Sequence, residues 1–116
     1  MKRGEIWWAD LGPYRPQEQT GRRPVIVWQS DTLNRILQSV LVVPLTTNLE
    51  RSDLAGTSLI QGEDQGPLQT SVALAFQMRA VPKNLLRDRI RPLTPTEEAE
   101  LELATDEALG RVEPRE

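Results

Sequence analysis

Residues 20–30 read TGRRPVIVWQS: two arginines and a proline stand directly before a run of branched apolar residues. Val25, Ile26 and Val27 favour a buried strand, because β-branched side chains pack well on a pleated surface. Pro24 has no amide hydrogen and therefore belongs near the start of such a strand. An arginine at its mouth must leave the core or meet a partner, since an unpaired buried charge is very costly. Pro24 also biases Arg23 towards an extended backbone, which sends its guanidinium off the strand in a defined direction.

Working outward, strand-like runs recur on both sides. EIWWAD (5–10) precedes this strand, and SVLVVPLT (39–46), the weaker TSLIQ (57–61), the long TSVALAFQMRAV (70–81) and DRIRPL (88–93) follow it. The long run alternates. It predicts Val72, Leu74, Phe76 and Met78 on one face, with Ser71, Ala73, Ala75, Gln77 and Arg79 on the other. In DRIRPL the same rule sets Arg89 and Arg91 opposite Ile90. Gly, Pro, Asn and Asp clusters separate the runs, which argues for a mostly β chain with short helices: a strongly curved antiparallel sheet or small barrel. DTLNRIL (31–37) and PKNLL (82–86) suggest short helical turns. The C-terminal helix is the strongest helical signal: Thr94 is placed as N-cap, Pro95 opens the first turn, Glu97 closes a capping box and Gly110 marks the end. Leu101, Ala104, Ala108, Leu109 and Val112 recur at helical spacing. The whole, residues 1–116, suits one domain, with residues 92–112 containing that helix.

Composition narrows the chemistry. The chain has no cysteine and no histidine, so thiol nucleophiles, Cys-based zinc sites and the usual general base are absent. Catalysis must rest on Arg, Lys, carboxylates, Tyr, hydroxyls or backbone dipoles. No segment has the length and apolarity of a signal peptide or membrane span, and the expectation is a cytoplasmic protein. The net charge of −3 conceals a division: residues 93–116 carry eight acidic and two basic residues, leaving the first 92 with a net +3. An anion site on the body is therefore compatible with an acidic whole.

Several residues are candidates for chemistry. A planar guanidinium at Arg23 suits a phosphate, although a salt bridge to Glu18 or Glu5 is the alternative. VVPLTTN (42–48) delivers hydroxyls at a strand end, either for a ligand or for a turn satisfying its own backbone. Trp7, Trp8 and Trp28 can stack on bases or fill a core or an oligomer interface. The polar loops 12–23, 48–56 and 62–67 are of a kind that commonly carries function.

In order and spacing, RGEIWWADLGP (3–13), EQTGRRPVIVWQSDTLN (18–34), VVPLTTN and SVALAFQMRAV (71–81) resemble the MazF/PemK family of toxin endoribonucleases. The similarity covers roughly residues 2 to 110. It implies an SH3-like barrel with appended helices, usually a homodimer, that cuts single-stranded RNA at short sequences without a metal or other cofactor. By the family pattern, Arg23 and Thr46 form the catalytic pair, Glu18 and Gln19 lie in a loop that closes over substrate, and Gln77 lines the RNA groove. Arg22 is at most an auxiliary phosphate contact. A cognate antitoxin is implied as partner. Gln17 departs from the small residue relatives commonly carry before the EQ pair, so loop contacts to substrate are expected to differ.

Two other readings follow from the same residues. A toxin of the same barrel type, like CcdB, would bind DNA gyrase and need neither Arg23 nor Thr46, whereas a non-catalytic RNA-binding module would need Arg23 for affinity and Thr46 hardly at all.

Overall fold

Branched residues on both sides of the RPV segment do build a sheet, and its strands are short and all antiparallel. The computed structural model describes residues 1–13, 16 and 19–113. In chain order it contains β1 (Glu5–Asp10), β2 (Arg22–Val27), α1 (Asp31–Ile36), β3 (Ser39–Thr46), β4 (Thr57–Ile60), β5 (Ser71–Leu74), β6 (Arg79–Pro82), β7 (Leu86–Pro92) and α2 (Pro95–Ala108). Three short 3-10 turns, Leu49–Asp53, Ala75–Gln77 and Lys83–Leu85, join them. The strand order is β4-β5-β3-β2-β1-β7, with β6 also on β3. Strong curvature is present, but the sheet does not close into a barrel: β4 and β7 remain as its ends.

Alternation along β2 divides the interior. Ile26 joins Ile6, Trp28, Val43, Leu45 and the helix residues Leu101 and Ala104 in one core, while Val25 and Val27 join Ala9, Leu11, Val40, Val42 and Leu86 in a second. One strand thus serves two cores, which is why its apolar run is continuous.

The long run at 70–81 is two strands rather than one. Between the pairs Leu45↔Ala73 and Val42↔Arg79, β3 has two intervening residues and the opposite chain has five. The surplus is taken up by the 3-10 turn Ala75–Gln77, which breaks the predicted alternation. Val72, Ala73, Leu74 and Ala75 are all buried, whereas Phe76 is 44% exposed. The turn lifts Phe76 and Gln77 out of the sheet.

On β7 the bulges are smaller. Ile6, Trp7 and Trp8 pair in turn with Arg91, Arg89 and Arg87, skipping a residue at each step, and Asp88 at one skipped position has φ +65°. A non-glycine residue in the left-handed region is uncommon but is tolerated best by Asp and Asn.

Helix α2 has the expected capping box: Thr94 Oγ1 accepts from Glu97 N at 3.1 Å, and Glu97 Oε1 accepts from Thr94 N at 2.9 Å. It ends at Ala108, two residues before Gly110, whose φ of +74° makes it the left-handed residue after the cap. Leu101 and Ala104 are buried, but Leu109 and Val112 lie past the helix and are exposed. No described helix is long and apolar enough to cross a membrane.

Candidate active site

The geometry begins at the β2–β3 ladder. Its last register pair is Val25↔Pro44. Carried two residues further, the same register sets Arg23 against Thr46, which in a continuous ladder would leave their Cβ atoms about 5 Å apart. The β2–β3 register pairs end at Val25↔Pro44, short of the position where these polar side chains stand. Arg23 faces Ala9 across β1, on the side of the second core.

Of the two expected carboxylates, Glu5 does not hold Arg23. Its Nε donates to the carbonyl of Thr20 at 2.7 Å. Glu5 instead accepts from Arg89 at 2.5 Å; burial would raise its carboxyl, but bonds from Lys2 N, Arg89 and Trp7 outweigh that and lower it. Glu18 lies outside the described residues. Using Nε for a main-chain carbonyl leaves the end-on fork of the two Nη groups of Arg23 as donors for an anion.

Thr46 is 8% exposed, and its Oγ1 accepts from Asn48 N at 3.2 Å. Asn48 Oδ1 in turn accepts from Glu50 N at 3.3 Å. The self-satisfied turn is therefore real. It also fixes the hydroxyl of Thr46, whose hydrogen is not consumed by accepting that bond and stays available as a donor.

Arg22 takes the opposite face of β2. Its guanidinium lies 4.3 Å from the centre of the Trp8 ring and 3.6 Å from Asp88 Oδ2 in an exposed ion pair. The tryptophans have three separate roles. Trp8 stacks under Arg22, Trp7 packs on the second core, and Trp28 is buried, with Arg3 3.8 Å above its ring and its Nε1 donating to Thr105 Oγ1 at 2.9 Å.

Of the concavities beside these residues, two between them contain Arg23, Gln19 and Gln77. One of about 270 Å³ is lined by Arg22, Arg23 and Thr47 together with Pro67, Gln69 and Ser71. The other, about 370 Å³, is lined by Pro16, Gln19, Pro44, Phe76, Gln77 and Arg79. Gln77 Oε1 accepts from Gln19 N at 3.1 Å. The residues named from the sequence thus fall into two groups, Arg22 with Arg23 and Gln19 with Gln77, and Thr46 lines neither concavity. Gln69 and Ser71 were missed; their signal was the polar loop ahead of β5, which carried no motif. Among the described residues, no side chain of α2 lines either concavity, so its carboxylates stand apart from both arginines.

The chain matches a family described as PemK-like, MazF-like toxin of type II toxin–antitoxin system over residues 2–109. It is similar to Endoribonuclease MazF of Staphylococcus saprophyticus, 32% identical over 110 residues that cover 95% of this chain and 92% of that one. Endoribonuclease EndoA of Bacillus subtilis is 36% identical over 93 residues, 80% of each chain. Among solved structures, a mycobacterial endoribonuclease in complex with its cognate antitoxin is 25% identical with a TM-score of 0.79, covering 98% of this chain and 99% of that one. MazF from Deinococcus radiodurans shares the fold at 20% identity, with a TM-score of 0.79 over 95% of this chain and 96% of its own.

Proposed function

The chain belongs to the PemK-like, MazF-like toxins of type II toxin–antitoxin systems and is an endoribonuclease like its relatives; from that premise we propose that it cuts single-stranded RNA at short sequences, with Arg23 and Thr46 as the catalytic pair. The reaction needs no protein nucleophile and no metal. A ribose 2′-oxygen attacks the adjacent phosphorus, the P–O5′ bond breaks, and the products carry a 2′,3′-cyclic phosphate and a 5′-hydroxyl. The 2′-proton leaves to a base and the departing 5′-oxygen takes up a proton. The protein's work is to align the attack and to stabilise the charge that builds on the phosphorane oxygens.

The observation that carries this reading is the pair of tethers just beyond the end of the β2–β3 ladder. Arg23 spends Nε on Thr20 and presents its Nη fork, while Thr46 accepts from Asn48 and keeps a hydroxyl hydrogen to donate. A fork and a hydroxyl are complementary to a pentacoordinate phosphate. Gln19, Gln77 and Arg22 are assigned to RNA binding, as is Glu18. Bases must be unpaired for their edges to be read, which accounts for the single-strand preference.

A homodimer and a cognate antitoxin complete the proposal; the antitoxin's extended, acidic segment would cover the groove of the net-positive body. The test is incubation of the purified protein with mixed-sequence RNA in EDTA, wild type beside Arg23→Ala, with the product ends characterised. Cyclic phosphate and 5′-hydroxyl ends at a short repeated motif, absent from the variant, are expected. No cleavage by the folded wild type would sink the reading and direct attention to gyrase binding.

A further inference from the structure

We infer that Gln77 is a positioning residue for Arg23, acting through the backbone of Gln19 and Thr20. The inference deepens the proposed function and rests on Arg23 being catalytic. Two consecutive residues carry the connection. The amide of Gln19 donates to Gln77 Oε1 at 3.1 Å, and the carbonyl of Thr20 accepts from Arg23 Nε at 2.7 Å. Because a backbone amide can only donate, the oxygen of Gln77 and not its nitrogen must face the loop.

The platform beneath Gln77 is rigid. It closes the 3-10 turn Ala75–Gln77, in which Met78 N donates to Ala75 O at 3.1 Å and Ala75 N to Gly56 O at 2.9 Å. Ala75 is 1% exposed in the first core. The base of the loop is closed separately, by Leu11 N to Gly21 O and Gly21 N to Gly12 O, each at 2.8 Å. Gln77 therefore adds a second tie between the segment ahead of Arg23 and the turn, two residues before that base, so that Thr20 is held from both sides. A guanidinium oriented by a loop carbonyl is only as well aimed as the loop, and the turn that interrupts the long strand supplies the anchor. Gln77 lines the 370 Å³ concavity, and its Nε2, not engaged in this bond, is left for substrate.

The test compares Gln77→Ala and Gln77→Glu with wild type. Glutamate keeps an acceptor for Gln19 N and loses the Nε2 donors, so it separates anchoring from direct contact with RNA. Hydrogen exchange of the Gln19 amide is expected to quicken in Gln77→Ala and to stay near wild type in Gln77→Glu. At saturating RNA, kcat is expected to fall about tenfold in Gln77→Ala, less than the roughly 100-fold that a full 1 Å misplacement can cost, and to recover to within about threefold in Gln77→Glu while KM rises by charge repulsion. Unchanged Gln19 exchange in Gln77→Ala, kcat equally impaired in both variants, or a loss confined to KM would each overturn the inference. The two failures are distinguishable. If Arg23→Ala cleaves like wild type, the catalytic reading fails; if Arg23→Ala is inactive and Gln77→Ala is fully active, the positioning role fails together with the RNA contact assigned to Gln77, and the catalytic reading stands.

Discussion

Arg91 holds Glu97 by both carboxylate oxygens, Nη1 to Oε1 at 2.8 Å and Nη2 to Oε2 at 3.0 Å. Glu97 also accepts from Thr94 N and from Gln61 N, at 2.9 and 3.0 Å. One buried carboxylate thus joins the end of β4, the strand β7 and the first turn of α2. Burial by itself raises the Glu97 carboxyl, but the guanidinium and the two amides outweigh it and hold it below the usual range. The same contact raises Arg91. A carboxyl lowered by folding stabilises the protein above its unfolded pKa, about 4.3, and loses that contribution as pH falls through the lowered folded value. Glu97→Gln should cost about 3 kcal/mol at pH 7, and its deficit relative to wild type should shrink in urea melts taken below pH 4. A deficit independent of pH would refute this account.

Arg23→Lys is expected to behave almost like Arg23→Ala. A lysine keeps the charge but has neither the Nε that meets Thr20 nor the Nη fork, so kcat should fall about 100-fold or more, as on loss of a transition-state donor. Thr46→Val should fall similarly and Thr46→Ser far less, because serine preserves the hydroxyl. Single-turnover cleavage at saturating RNA measures both.

Gly62 is a close-approach glycine. A Cβ there would meet Thr70 N at 2.1 Å and Gln69 C at 2.3 Å, both backbone atoms that cannot step aside cheaply. Gly62→Ala is expected to destabilise the protein by about 1–3 kcal/mol and, because Gln69 and Ser71 line the concavity beside Arg23, to lower cleavage as well. Thermal unfolding and activity measured together would detect a change in one without the other, which this argument forbids.

The acidic helix should be a bystander in catalysis. Glu102 and Glu98 pair with Arg3 at 3.2 and 3.0 Å, on partly exposed side chains, where such bonds contribute little. Glu100→Gln with Glu102→Gln should leave kcat/KM within about twofold at 0.15 M salt, where exposed charges are screened beyond about 8 Å. A large gain or loss of cleavage would place the helix near the RNA path.

What the sequence determined by itself was local. Branched runs named the strands, the Thr94–Glu97 box and Gly110 bounded α2, and the order of the RGEIWW, RPV, PLT and Q-x-R stretches sufficed for the family, because each depends on neighbours within a few residues. Tertiary structure decided what depends on register. Nothing local in TSVALAFQMRAV reveals that it must match a shorter stretch of β3, and that mismatch creates the turn which lifts Gln77 to the loop. Likewise, Glu5 matches Arg23 by charge, but strand pairing delivers Arg89 to Glu5, and Arg23 bonds a main-chain carbonyl. A side chain's partner is set by which backbones the ladders bring alongside it, and that choice is made across the whole sheet.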